Sequence, residues 1–171
     1  MELSTVFGIF GVAVNASWPL IKHRKFLLCG QILACIFMFA HFWLLGALTG
    51  AVVMAAAGVQ AALAIPLESH PKFKSVYLAS LLLTPLVAWL SWHGLPSIFS
   101  TLALVFFSIG NLQINTKRLR IFLLLCLFCW VVHNLVISSY PALISNLIAL
   151  CTSIYGLSRE YMPNNAKHKN A

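Results

Sequence analysis

Six polar side chains stand within otherwise apolar stretches of this sequence, and their chemistry suits the binding of a polar solute. An Asn or Gln amide brings several hydrogen-bonding positions that must be satisfied, and a neutral His can bind a solute or pass protons. Such groups are costly inside a membrane unless they face the interior of a helix bundle or a water-filled path. The residues predicted to line such a path are Asn15, His41, Gln60, Asn111, His133 and Asn146.

A purely structural role is the alternative for each of these residues. Small and polar residues let membrane helices pack closely and bond to one another. His41 and His133 stand near the predicted ends of their helices, where an imidazole can cap or anchor a helix at the membrane interface. The sequence leaves both roles open.

Catalytic and metal-binding constellations are weak in this chain. Cys126, Cys129 and His133 share one face of a predicted helix, and thiolate with imidazole suits a soft metal ion. No fourth ligand is evident, so we expect no metal ion and no cofactor. We also predict that the protein is not an enzyme, because no nucleophile–base pair can be identified from the spacing. All acidic residues lie at or beyond the ends of the apolar stretches: Glu2, Glu68 and Glu160.

The composition indicates that most of the surface faces lipid. Hydrophobic residues make up 61% of the chain and charged residues 8%, whereas soluble domains contain about 25% charged residues. The formal net charge of +8 does not indicate nucleic-acid binding, because Lys and Arg stand in short breaks between apolar stretches. The five cysteines lie within apolar stretches and are expected to pack as small apolar residues rather than to form disulfides.

Seven apolar stretches approach the length of about 20 residues that a membrane-spanning helix needs. We predict spans over residues 3–21, 26–45, 51–67, 75–92, 97–113, 121–137 and 142–157. With seven spans, the basic breaks at 22–25, 72–74 and 117–120 fall on the same side as the tail with Arg159, Lys167 and Lys169. The positive-inside rule makes this side the cytoplasm, so we predict the N-terminus outside and the C-terminus in the cytoplasm.

The predicted spans form two similar units, residues 3–67 and 97–157, joined by a linker helix over residues 75–92. His41 and His133 occupy the same place in the two units, as do Lys25 and Lys117. A single linker helix makes the units parallel. Parallel repeats related by an axis along the membrane normal are a known transporter plan, with solute sites at the repeat interface near the midplane.

The predicted fold is therefore an all-α, polytopic membrane protein with seven transmembrane helices. It consists of two parallel three-helix bundles and a linker helix (3+1+3) within a single membrane domain of residues 1–171. Residues 158–171 are predicted to form a disordered cytoplasmic tail.

Three short stretches resemble one known family. They are Gly8-Ile-Phe-Gly11, His41-Phe-Trp-Leu-Leu-Gly46 and Cys129-Trp-Val-Val-His-Asn134. Together they are similar to the YgjV-type bacterial inner-membrane proteins, with a resemblance that extends from Phe7 to Gly156. The His-Asn element of the sixth predicted helix is its most specific part. The resemblance implies a multi-pass protein of the bacterial inner membrane.

The 3+1+3 layout more distantly resembles the SWEET sugar facilitators and the PQ-loop transporters. In those families a Pro-Gln pair ends the first helix of each unit as a hinge, and an Asn in each third helix faces the solute. Pro19 stands in the hinge position here, but Leu20 replaces the Gln. Asn146 is similar to the solute-facing Asn, and Met54 stands at its counterpart in the first unit.

These observations favour a small-solute transporter or facilitator with a polar path between the two units. The alternative is a non-transporting membrane protein that binds a partner or lipid through its helix faces. The partners expected are the lipid bilayer and a small-molecule solute whose identity the sequence does not define. We expect no nucleic acid, and a homo-oligomer is compatible with the sequence.

Overall fold

The computed structural model describes residues 2–46, 48–90, 92, 94–136, 138 and 140–161. Residues 162–171 of the predicted tail lie outside the described residues, as do Ser91 and Ile137 at the ends of two predicted spans. The described residues form eight α-helices and three short 3₁₀ turns. The α-helices are α1 (Leu3–Ser17), α2 (Arg24–Leu44), α3 (Leu48–Ala64), α4 (Lys74–Ser80), α5 (Leu83–Leu90), α6 (Leu95–Leu112), α7 (Thr116–Val136) and α8 (Tyr140–Tyr161).

Among the described residues, six helical segments are long and apolar enough to cross a membrane. At a rise of about 1.5 Å per residue, segments of this length match a hydrocarbon core about 30 Å thick. Many large apolar side chains face outward, with Leu82 74% and Trp89 76% exposed. The prediction of an all-helical membrane protein is thereby confirmed. The segments are Leu3–Leu20, Arg24–Leu44, Gly50–Leu67, Leu95–Leu112, Thr116–Val136 and Ala142–Glu160.

The predicted fourth span is two helices rather than one. α4 ends at Ser80 and α5 begins at Leu83. Pro85 explains the break, because a proline ring clashes with the carbonyl four residues earlier, which here belongs to Leu81. The N–H of Leu81 accordingly bonds to the carbonyl oxygen of Leu78, three residues before it. The sequence showed the proline, but the break itself lies one turn ahead of it.

The six long helices close into a ring. α1, α2 and α3 contact one another in succession and form the first triplet, and α6, α7 and α8 form the second triplet in the same way. The ring closes because α3 contacts α6 and α8 contacts α1. At both junctions the third helix of one triplet packs against the first helix of the other. α5 packs against the seam between α3 and α6.

Corresponding turns in the two triplets share an unusual backbone conformation. Gly46, between α2 and α3, has φ 72°, and Ser138, between α7 and α8, has φ 56°. Ser138 follows Gly46 by 92 positions, the same offset that relates His133 to His41. A left-handed residue commonly ends a helix, and glycine adopts this conformation without the steric cost that serine meets.

All described Lys and Arg residues lie at one end of the ring, which we call the basic end. They stand in the connections α1–α2, α3–α4 and α6–α7, in the first two turns of the helices that follow, or in the last turn of α8. Near this end a buried core joins the two triplets, since Leu27 and Leu28 of α2 belong to one cluster with Leu119 and Leu123 of α7. The basic residues are Lys22, Arg24, Lys25, Lys72, Lys74, Lys117, Arg118, Arg120 and Arg159.

Candidate functional site

His41 and His133 fasten the second helix of each triplet to the start of its first helix. Nδ1 of His41 lies 2.7 Å from the carbonyl oxygen of Ser4, and Nδ1 of His133 lies 2.8 Å from that of Pro96. The contacts are equivalent, because each member of the second pair follows its counterpart by 92 positions. A carbonyl only accepts hydrogen bonds, so Nδ1 carries the proton in both rings. The geometry gives both histidines an anchoring contact far from the basic end.

The three asparagines predicted to line a path lie in different surroundings. Asn15 is half-buried, and its Oδ1 accepts a hydrogen bond from Nε1 of Trp18 at 3.1 Å. Asn111 is fully buried in the last turn of α6, and neither atom of its amide has a partner among the residues that the structure describes. Asn146 is half-buried in the part of α8 far from the basic end. Asn15 and Asn111 are therefore separated from Asn146 by much of the length of the ring.

Gln60 lies at the centre of a buried polar network that fixes the linker. Its Nε2 donates to Oγ1 of Thr84 at 3.2 Å and to the carbonyl oxygen of Ser80 at 3.3 Å. Its Oε1 accepts a hydrogen bond from Oγ of Ser108 at 2.7 Å. The hydroxyl of Tyr77 donates to the carbonyl oxygen of Ser108 at 2.6 Å. The network therefore joins α3, the two linker helices and α6, and the amide of Gln60 is satisfied within the protein.

The six predicted path residues thus do not gather at one site near the midplane. Asn15, Gln60 and Asn111 lie toward the basic end, whereas His41, His133 and Asn146 lie toward the other end. Their role in a path stays a prediction. Asn111 is the buried member whose side chain has no partner in the described residues.

Arg24 reaches from the first triplet to the second at the basic end. This residue begins α2 and is only 5% exposed. Its Nε donates to the carbonyl oxygen of Gln113 at 2.8 Å, and its Nη2 donates to that of Asn111 at 2.8 Å. Nη2 also lies 3.1 Å from the carbonyl oxygen of Ala64. One guanidinium thus satisfies carbonyls at the C-terminal ends of α6 and α3, where a cation is favourable.

Arg120 reaches in the opposite direction. This residue lies in the second turn of α7, is 3% exposed, and donates through Nη1 and Nη2 to the carbonyl oxygens of Pro19 and Ile21. These carbonyls follow the C-terminal end of α1 in the first triplet. Nε of Arg120 lies 3.6 Å from Oε1 of Glu160 in α8. We call the contacts of Arg24 with α6 and of Arg120 with the end of α1 the arginine bridges.

The acceptors of the two arginine bridges are equivalent. Asn111 follows Pro19 by 92 positions, and Gln113 follows Ile21 by the same number. The arginines themselves are not equivalent, since Arg120 corresponds to Leu28, one turn beyond Arg24. The same two carbonyl positions in each triplet are therefore held by an arginine of the opposite triplet. Pro19, the predicted hinge, is fully buried within a 3₁₀ turn and is one of these acceptors.

Gly156 makes room for the bridge of Arg120. A Cβ atom at this position would clash with the carbonyl oxygen of Pro19 and with Nη1 of Arg120. The corresponding position of the first triplet is Ala64, whose carbonyl oxygen accepts from Arg24. The third helix of each triplet therefore contacts a bridging arginine at the equivalent position, α3 at Ala64 and α8 at Gly156.

Several buried polar side chains in the ring have no hydrogen-bond partner among the described residues. Gln31, seven residues after Arg24 on the same helix face, is 2% exposed, and both atoms of its amide are unpartnered. Leaving such a group unpaired costs about 1–3 kcal/mol, so each of these positions is unfavourable to folding unless a further group bonds to it. The side chains are Gln31 and Asn111, with single atoms of Arg24, Arg120, Asn134 and Ser153.

The sequence matches a family of bacterial inner membrane proteins over residues 2–163, which is nearly its whole length. The chain belongs to the Imp-YgjV family. Neither curated proteins nor solved structures give a significant match. The resemblance that the motifs predicted is thereby confirmed, and so is the bacterial inner membrane as the location. In this Imp-YgjV protein the motif residues His41 and His133 are the two helix anchors.

This Imp-YgjV protein also has an open cavity and a buried cysteine cluster. A cavity of about 420 Å³ opens at the basic end beside the α3–α4 connection and is lined by Pro66, His70, Lys72 and Phe73. Cys126 and Cys129 pack with Ala103 in an apolar cluster. Among the described residues, no group of three or more His, Cys, Asp or Glu side chains is placed to hold a metal ion.

Sequence reasoning missed Arg24, Arg120 and Gln31 as residues of the ring interior. The arginines were counted only as loop charges that indicate topology, because they adjoin Lys25 and Arg118. Gln31 is the one amide in the apolar run from Phe26 to Leu44, and this isolation was the available signal. The apolar runs of the sequence do not show which helix ends contact one another at the basic end.

Proposed function

We propose that this Imp-YgjV protein is a facilitator that carries a small polar solute across the inner membrane through the interior of the six-helix ring. In this proposal the chain has seven spans in the 3+1+3 arrangement, with α4 and α5 together as the linker span. The N-terminus faces outward and the basic end faces the cytoplasm. The protein catalyses no chemical reaction.

The observation that carries the proposal is the pair of buried amides of Gln31 and Asn111, which have no partner in the described part of the chain. An amide that is 2% exposed or less and lacks a partner is unfavourable in a purely structural core. In a transport path the same amide bonds to water or to the passing solute. Violations of the packing rules of this kind are expected at functional sites.

The arginine bridges supply the closed end of the path. Arg24 and Arg120 each join the two triplets, and together with Leu27, Leu28, Leu119 and Leu123 they fill the ring near the basic end. Access from the cytoplasm requires the bridges to separate, which the triplets achieve by rocking against each other. Pro19 lies directly after α1, and its carbonyl oxygen accepts a hydrogen bond from Arg120. In this proposal Pro19 is the hinge about which α1 moves when that bond breaks.

A passive mechanism fits the charged residues better than coupling to a cation. The three acidic residues of the sequence are Glu2, Glu68 and Glu160. All of them lie at or near helix ends rather than in the middle of the ring. A cation pathway ordinarily needs a carboxylate at membrane depth.

The experiment compares metabolites inside and outside cells that express the wild-type protein, Gln31→Leu or Leu33→Ala at equal membrane levels. Leu33 is 44% exposed on the outer face of α2, so its variant is the matched control. We expect a set of small polar metabolites whose distribution changes with the wild type and with L33A but not with Q31L. If the wild type and Q31L give the same distributions, the path through Gln31 is wrong.

A further inference from the structure

The guanidinium of Arg24 lacks a hydrogen-bond acceptor on one side. Nε and Nη2 are satisfied by the carbonyl oxygens of Gln113, Asn111 and Ala64. Nη1 is buried and has no partner among the described residues. A guanidinium donates five N–H groups in a fixed plane, so the two N–H groups of Nη1 are donors without an acceptor among the described residues.

The backbone of Asn111 contacts the guanidinium of Arg24, and the side chain of Asn111 is also without a hydrogen-bond partner among the described residues. Its own carbonyl oxygen accepts from Nη2 of Arg24 at 2.8 Å, which places the residue next to the guanidinium. Asn111 is 0% exposed, and neither Nδ2 nor Oδ1 has a partner in the described chain. Two neighbouring buried groups therefore both have N–H donors to offer.

The second triplet shows what completes such an arginine. Nε of Arg120 lies 3.6 Å from the carboxylate of Glu160 in α8. The residue 92 positions earlier is Glu68, so the first triplet has a carboxylate at the equivalent position. Glu68 is exposed, however, and lies beyond the end of α3. Glu68 makes no such ion pair with Arg24 among the described residues, although its negative charge acts on Arg24.

We propose that Arg24 and Asn111 form a binding site for a small oxyanion, a carboxylate or phosphate group, with Nη1 and Nδ2 as its donors. The proposal rests on the proposed function and names its substrate class, because the site lies at the closed end of the path. An arginine fork matches the planar oxygens of a carboxylate or the oxygens of a phosphate.

The test measures thermal unfolding of the purified full-length protein with sodium acetate or sodium phosphate against sodium chloride at matched ionic strength and pH. We expect one of the two oxyanions to raise the melting temperature of the wild type in a saturable way. Asn111→Leu, which removes no hydrogen bond seen in the structure, and Arg24→Lys, which keeps the charge, should each weaken the apparent affinity about tenfold or more. Glu68→Gln should leave it unchanged or increase it.

The outcomes separate the site from the proposed function. No oxyanion effect on the wild type beyond that of chloride overturns the site, and so does an effect that appears only in Glu68→Gln, because Glu68 is then the resident partner of Arg24. An equal response in the wild type, N111L and R24K also overturns it. Oxyanion binding without any difference between the wild type and Q31L in the metabolite experiment supports the site and overturns the transport path through Gln31.

Discussion

Arg24 and Arg120 hold the same pair of carbonyl positions, each in the triplet opposite its own. Arg24 donates to Asn111 and Gln113 at the end of α6, and Arg120 donates to the equivalent Pro19 and Ile21 after α1. Each guanidinium is buried and lies where helix dipoles and free carbonyls are negative. The two arginine bridges therefore tie the triplets together at one end of the ring.

The first prediction concerns these bridges. Arg120→Gln leaves the carbonyl oxygens of Pro19 and Ile21 buried without their donors and Glu160 without its cation. We expect a loss of about 2–4 kcal/mol in the free energy of unfolding, measured as a lower melting temperature in detergent. Arg118→Gln, at an exposed position two residues earlier, is the matched control and should leave stability unchanged. Equal melting of the two variants would show that the bridge contributes nothing.

The second prediction concerns Gly156. In Gly156→Ala the added Cβ meets the carbonyl oxygen of Pro19, which is backbone and cannot move aside easily. We expect a destabilisation of about 1–3 kcal/mol, although alanine has a higher helix propensity than glycine. Gly58→Ala on α3 is the comparison, because its nearest contact is the Cβ of Cys35 at 3.3 Å. G58A should melt close to the wild type, and a smaller effect of G156A than of G58A would contradict the close approach.

The third prediction uses the paired turns. Ser138→Gly relieves a left-handed serine at φ 56°, whereas Gly46→Ala introduces a Cβ at φ 72°. We expect the first change to stabilise and the second to destabilise the protein, each by about 1 kcal/mol. The two melting temperatures should therefore move in opposite directions. Shifts of the same sign would mean that the turns are not equivalent.

The fourth prediction concerns Gln31. Its unpartnered amide is unfavourable to stability, so Gln31→Leu, which keeps the size of the side chain, should raise the free energy of unfolding by about 1 kcal/mol. Thermal unfolding of Q31L and of the control L33A measures this. Because the same variant is expected to lose transport, stability and activity should change in opposite senses. A destabilised Q31L would indicate that the amide has a structural partner.

The fifth prediction concerns orientation in the membrane. The positive-inside rule places the basic end in the cytoplasm. Green fluorescent protein fused after residue 171 should therefore fluoresce, and alkaline phosphatase fused there should be inactive. Phosphatase fused after Gly94, at the other end of the ring, should be active. The reverse pattern would invert the proposed topology.

The sequence by itself determined the class of protein, the long apolar helices and the clustering of Lys and Arg in alternate connections. It also matched His41 with His133 and identified the family. Hydropathy, segment length and charge are properties of a short stretch of chain, so they can be read without knowledge of the neighbouring helices. For the same reason Pro85 was visible as a source of irregularity, while the end of α4 at Ser80 was not.

Only the tertiary structure decided which side chains face the interior of the ring and what they bond to. The amide of Gln60 is satisfied by Ser80, Thr84 and Ser108, whereas the amide of Asn111 is buried without a partner among the described residues. Aligning the two units does not reveal the arginine bridges. At an offset of 92 residues, Arg120 aligns with Leu28, which lies one helical turn after Arg24. The acceptors of the two bridges are equivalent only because α6 and the end of α1 meet the opposite triplet in the same way. The equivalence of these acceptors arises from the packing of helices that are far apart in the sequence. The residues that adjoin each arginine in the sequence do not encode it.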